Sequence, residues 1–160
     1  INADKLGFNN VEFRLGDIEQ MPIGGNSIDT VISNCVLNLV PNKEKAFSET
    51  YRVLKPGGHF SVSDVVLKGE LPESLKNDAE MYAGCVSGAI QGDDYLEIIK
   101  NAGFQNITVQ KQKVVNLPDE ILDRYLNDVE KMKFRSGEIG IFSVTVYADK
   151  PACDPNSGCC

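Results

Sequence analysis

The sequence predicts an α/β fold: a strand–helix–strand crossover, continued by further helices and closed by a last strand. Three observations predict it. Apolar and polar residues alternate at Val11–Leu15 and again at Phe142–Ala148, and residues 28–33 form a short apolar-rich run. Phe47, Tyr51 and Leu54 recur at i, i+4 and i+7, the spacing of one helical face. Short links rich in Gly and Pro join these segments, which implies a right-handed parallel crossover.

The elements follow in order. Val11, Phe13 and Leu15 alternate with Glu12 and Arg14 as a strand that Gly16 and Asp17 end. Gly24-Gly25-Asn26 marks a turn. Residues 28–33 are the second strand. Pro41 and Asn42 open a helix, and Pro56-Gly57-Gly58 stops it. Phe60 and Val62 begin a third strand that leads into Asp64. Residues 67–92 interrupt the rhythm with a helical patch from Glu73 to Met81, then Gly84, Gly88 and Gly92. Asp93 suits the N-cap of a helix whose Tyr95, Ile98, Ile99 and Ala102 share a face, with Gly103 capping its end. Residues 104–112 read as a strand. Residues 118–133 read as one helix through Leu122, Tyr125, Leu126 and Val129, and Phe142, Val144, Val146 and Ala148 as the final strand.

Composition narrows the function. The chain has 160 residues, 42% of them hydrophobic, enough for a real core. Sixteen Lys and Arg against 23 Asp and Glu argue against nucleic acid or an anionic membrane as partner. No apolar run reaches the roughly 18–20 residues of a membrane span. The five cysteines are Cys35, Cys85, Cys153, Cys159 and Cys160. An odd number, unevenly placed, fits a reduced cytoplasmic setting better than a disulfide scaffold. The end after Pro151 is polar, turn-rich and expected to be mobile. Residues 1–6 with Gly7 read like the last turns of a helix and its cap, so the chain is expected to be a piece whose beginning lies elsewhere.

In open α/β sheets ligands sit beyond the carboxyl ends of the strands. Residues 16–19, Asn34-Cys35 and Ser63-Asp64 occupy such places. The carboxylates of Asp17 or Glu19 can accept from an amino group such as that of adenine, and Ile18 can pack on a base. Equally, Asp17 can simply cap a turn. Cys35 at the mouth of the sheet and Cys85 in the Gly-punctuated segment are each, alone, more readily read as small buried apolar residues. Two thiols meeting over a pocket would suit a soft ion or metalloid. Their spacing is not C-x-x-C, which weakens zinc-ribbon and thioredoxin readings. His59, the single histidine, reads as a strand-end residue, and without a second His a hydrolase triad has little support. No Gly-x-Gly-x-x-Gly or phosphate-loop motif is present.

The runs LGDIEQMPI (15–23), IDTVISNCVLNL (28–39) and YRVLKPGGHFSVSDV (51–65) resemble class I S-adenosylmethionine-dependent methyltransferases. SNCVLNL (33–39) with YAGCVSGA (82–89) resembles, more specifically, the arsenite methyltransferases. That resemblance runs from residue 1 to about residue 149 and implies a Rossmann-like sheet with its last strand antiparallel, truncated here at its N-terminus. It implies that Cys35 and Cys85 hold trivalent arsenic. It implies that Asp17, Ile18 and Glu19 line the adenine of S-adenosylmethionine, with Asn34 near the methionine portion. The family's Gly-rich cofactor turn, its ribose-binding acid and a further cysteine would precede Ile1. Residues 1–66 would be the remaining core, 67–92 a lid or substrate segment, 93–150 the end of the sheet, and 151–160 a Cys-rich tail. A strand at 11–15 without its neighbours would leave unpaired edges and could pair with a second copy. Cofactor binding by this chain alone is expected to be poor. The expected activity is methyl transfer to trivalent arsenic. Two other readings stay open: a methyltransferase acting on a small organic metabolite, and a non-catalytic thiol-rich module that binds soft metals.

Overall fold

The computed structural model describes residues 5, 7–83, 86 and 88–152. Cys85, Cys153, Cys159, Cys160 and most of the expected helix end at 1–6 lie outside the described residues. The described chain is α/β with one mixed four-stranded sheet. β1 (Ile28–Asn34), α1 (Lys43–Val53) and β2 (Leu54–Lys68) form the expected crossover, with β1 and β2 parallel. α2 (Glu73–Ala83) and α3 (Gly92–Asn101) follow. β3 (Gln105–Val114), α4 (Asp119–Tyr125), α5 (Asp128–Ser136) and β4 (Gly140–Asp149) complete the order. The sheet runs β1-β2-β4-β3, and β4 is antiparallel to both neighbours.

Helices cover both faces of the central strands β2 and β4, while Ile32 of β1 and most of β3 stay exposed. Phe60, Val62 and Val66 of β2 join Phe142, Val144 and Val146 of β4 beneath α1 and α3, which contribute Phe47, Tyr95 and Ile99. Phe60 meets Phe47 at 5.8 Å and Phe104 edge-on at 4.7 Å between ring centroids. On the other face Val65, Leu67 and Ile141 pack with Leu75, Leu122 and Phe134.

Four expectations need correction. Residues 11–15 form no strand: Val11, Phe13 and Leu15 are exposed, Leu15 fully so at 102%. A strand needs a neighbour for its backbone groups, and β1 is paired only to β2 among the described residues. Arg14 instead bonds Glu12 and the Pro22 carbonyl. The expected helix over 118–133 is two helices, because Asn127 and Glu130 make a reciprocal capping box that restarts the chain after Leu126. Val129, expected on the buried face, is consequently exposed. Gln91, not Asp93, precedes the first turn of α3, and Asp93 sits within that turn, where the helix dipole favours a carboxylate. Finally, Pro56-Gly57-Gly58 does not separate helix from strand. β2 already begins at Leu54, and the three residues bulge out of it between the pairs Ile28–Leu54 and Thr30–His59. Gly57 takes φ +78° there, and its amide bonds the Lys150 carbonyl.

Candidate functional site

The carboxyl ends of β1 and β2 lie side by side, with Asn34 paired to Ser63. The chain then turns sharply: half-buried Cys35 has φ +54°, a left-handed conformation that costs a non-glycine residue on the order of 1–3 kcal/mol. Such a conformation persists only where its surroundings over-determine it, and Ser63 and Val65 of β2 both bond the turn. The Cys35 amide donates to the Ser63 carbonyl at 2.8 Å. The Asn38 side chain donates to the Val65 carbonyl at 2.6 Å. Leu37, in the 3₁₀ turn Leu37–Leu39, is buried and anchors the turn in the core.

Asp64 is buried and carries the most perturbed carboxyl of the site. Burial pushes it up to about 6, against the opposing pull of the Tyr95 hydroxyl, the Asn38 amide, the Lys43 ammonium and the Val65 amide. Tyr95 donates to its Oδ2 at 3.1 Å, and the same burial raises the Tyr95 hydroxyl. Lys43 donates to the Asn38 carbonyl at 3.1 Å; burial lowers its ammonium and Asp64 opposes that shift. Ser33 Oγ and Asp64 Oδ1 are buried without hydrogen-bond partners among the described residues, so the strand ends carry polar capacity beyond the sheet's own needs.

Residues 86 and 88–91 lie beside this turn and the end of β2. Val86 is buried, the Leu67 amide bonds the Ile90 carbonyl at 2.8 Å, and Gln91 bonds the Gly69 carbonyl. Gly88 presses so closely on the Asn38 carbonyl that an added Cβ would overlap it. Its φ is outside the left-handed region, so glycine is needed there for space rather than conformation. Thus the described neighbours of Cys85 abut the turn that carries Cys35.

Asp17, Ile18 and Glu19 form a separate turn strapped to α1. The Glu19 amide bonds Asp17 Oδ1 at 2.9 Å, so the turn-forming role of Asp17 is observed. Glu19 Oε1 accepts the Asn42 amide at 3.0 Å at the start of α1, and Ile18 packs against the core. Behind them Glu49 and Arg52 of α1 bind the backbone at Met21 and Ile23. Asn34 is exposed at the strand end. His59 lies in β2 beside Thr30 and Tyr147, at the opposite end of the β1–β2 ladder from Cys35. No group of three or more His, Cys, Asp or Glu gathers into a metal-ion site among the described residues. A cavity of about 310 Å³ lies beyond β2, walled by Val66, Lys68, Gln91, Tyr95 and Phe142, and it does not include Cys35.

Sequence alone places Ser63-Asp64 at the mouth of the sheet and Tyr95 on a helix face, but it gives Asn38, Asp64, Tyr95 and Gly88 no part in a site. A single acid inside the apolar run FSVSDVV, and a single amide inside CVLNLV, were the available signals.

Comparison with known proteins decides the family. A methyltransferase domain family matches residues 1–103. This chain belongs to that methyltransferase domain family. It is similar to the arsenite methyltransferase of Halobacterium salinarum, with 37% identity over 96% of this chain and 37% of the relative. It is similar to that of Rattus norvegicus, with 34% identity over 99% of this chain and 42% of the relative. It also resembles the crystal structure of an arsenic(III) S-adenosylmethionine methyltransferase from Chlamydomonas reinhardtii. There the TM-score is 0.69 and identity 32%, over 93% of this methyltransferase chain and 48% of that one. The chain therefore spans less than half the length of each of these relatives.

Proposed function

We propose that this chain is part of an enzyme that transfers a methyl group from S-adenosylmethionine to trivalent arsenic held by the thiolates of Cys35 and Cys85. The observation that carries the reading is Cys35 itself. It stands at the carboxyl end of β1 in an over-determined turn, and Gly88, three residues after Cys85, packs directly against that turn. The arsenite methyltransferase relatives supply the choice of arsenic over other thiophiles.

The chemistry asks little of other side chains. Trivalent arsenic is soft and prefers thiolates, and coordination itself favours the deprotonated thiol. The arsenic lone pair is the nucleophile, so no general base is needed, and the protein's task is positioning and exclusion of water. When bound, S-adenosylmethionine supplies an electrophilic methyl on its sulfonium. Asp17, Ile18, Glu19 and Asn34 would hold it. Their chemistry fits: a carboxylate offers about four lone pairs. One bond each to the Glu19 and Asn42 amides leaves Asp17 and Glu19 able to accept an amino group. Ile18 offers an apolar edge, and Asn34 an exposed amide at the strand end.

Residues 67–92 act in this reading as the substrate segment. The protein works in the reducing cytoplasm. No helix among the described residues is long and apolar enough to cross a membrane. Arsenite titration by calorimetry tests the assignment. Cys35→Ser and Cys85→Ser each lose roughly tenfold or more in affinity, since each removes one of two soft ligands. Full affinity in both single variants refutes it.

A further inference from the structure

Gly88 makes the closest approach to another backbone group of any described glycine. A Cβ added there would overlap the carbonyl oxygen and carbon of Asn38, whereas at Gly16 and Gly69 the obstacle is the side chain of Pro22 or Ile139. A side chain can rotate aside; a carbonyl held in a fixed turn cannot. The Asn38 carbonyl is held from α1 and its turn from β2. The Lys43 ammonium donates to it at 3.1 Å and to the Val40 carbonyl at 3.4 Å. The Asn38 side chain bonds Val65, the Cys35 amide bonds Ser63, and Leu37 is buried. The far side of the contact is held as well. The Leu67 amide bonds the Ile90 carbonyl at 2.8 Å and the Ala89 amide bonds the Val86 carbonyl at 3.0 Å. Val86 is buried in the core cluster of Leu71 and Leu75.

We propose that Gly88 is a positioning residue: its bare backbone seats residues 88–90 against the Asn38 carbonyl, and this seating sets the reach between the thiols of Cys35 and Cys85. The inference rests on the reading of those thiols as arsenic ligands and goes beyond it by naming the contact that brings them together. Cys35 precedes Asn38 by three residues, and Cys85 precedes Gly88 by three. Three residues of chain reach no further than about 11 Å, so a displacement at the 38–88 contact is passed on to the thiols. Any side chain at 88 lifts the segment off the turn. Because Ile90 is tied to β2, the displacement runs toward Cys85 rather than away from it. One arsenic atom then cannot take both thiols, although each thiol stays reactive by itself.

The test takes as parent a protein that contains this chain with Cys153, Cys159 and Cys160 changed to Ser, and adds Gly88→Ala and Lys43→Met. Each protein is studied well below its unfolding midpoint. Arsenite titration measures chelation. Dibromobimane, a short reagent that alkylates two thiols, measures the Cys35–Cys85 cross-link by peptide mass spectrometry. Iodoacetamide measures each thiol alone. For Gly88→Ala, arsenite affinity and cross-link yield fall about tenfold or more, while alkylation of each thiol alone stays within roughly threefold of the parent. Lys43→Met removes the ammonium that holds the Asn38 carbonyl, and chelation and cross-linking both fall about threefold. It carries the test if Gly88→Ala does not fold. A merely structural role predicts a loss of thermal stability with cross-linking and affinity unchanged in the folded variants. A folded Gly88→Ala protein with parental cross-linking overturns the proposal, as does parental cross-linking in Lys43→Met where Gly88→Ala is unfolded. A parent that forms no cross-link overturns it too. A parent that cross-links but binds arsenite no better than Cys35→Ser overturns instead the arsenic reading, and the cross-link yields still decide the role of Gly88.

Discussion

Residues 11–15 and 142–148 carry the same alternation of apolar and polar side chains, yet they behave oppositely. Phe142, Val144, Val146 and Ala148 are buried, and β4 is hydrogen-bonded along both edges, to β2 and β3. Val11, Phe13 and Leu15 are exposed, and their backbone is paired to no described strand. The difference teaches that alternation specifies only which side chains share a face. Whether a strand forms is decided by neighbours that satisfy its amides and carbonyls.

Substitutions at matched aromatic positions break the comparison if it is wrong. Phe60, fully buried between Phe47 and Phe104, faces the β4 side chains, and Phe60→Ala is expected to cost about 3–5 kcal/mol in denaturant unfolding. A loss below about 1 kcal/mol would mean that this core is not formed as described.

The next effect separates the buried site from the exposed segment by pH. Asp64 titrates near 6 when folded against a reference of 3.8. The folded protein therefore keeps a proton that the unfolded chain has released. Its contribution to stability is fully present below pH 3.8 and is lost as pH rises through about 6. Between pH 7 and pH 4 the parent is expected to gain on the order of 3 kcal/mol relative to Asp64→Asn, followed by paired denaturant curves. A difference between the two proteins that does not change with pH would contradict the burial of this carboxyl.

The smallest expected effect lies in the leading segment. Phe13 is 82% exposed, and Phe13→Ala should alter stability by no more than about 0.5 kcal/mol. A cost near that of Phe60→Ala would show that residues 11–15 are packed as a strand after all.

The same contrast explains what could be read in the sequence. The crossover was legible because the helical spacing of Phe47 and Tyr51 lies between two strand-like segments, residues 28–33 and the run from Phe60, with short links. β4 was legible because its alternation is long. The break between α4 and α5 was not, because Leu122, Leu126 and Val129 keep a helical spacing across Asn127, and a capping box competes with that spacing only once Glu130 can fold back. At the site, Cys35 and Asn34 were legible from their place after a strand. The bonds of Glu19 to Asn42 and of Asn38 to Val65 were not, because they join residues 23 and 27 positions apart.

The most direct test of the central claim is methyl transfer from methyl-labelled S-adenosylmethionine to arsenite by a protein that contains this chain, followed by mass spectrometry. The account predicts labelled methylarsenicals from the parent, and a fall of about a hundredfold or more in both Cys35→Ser and Cys85→Ser, because a misplaced acceptor forfeits the positioning on which the reaction depends. Undiminished label in arsenic without both thiols would contradict it.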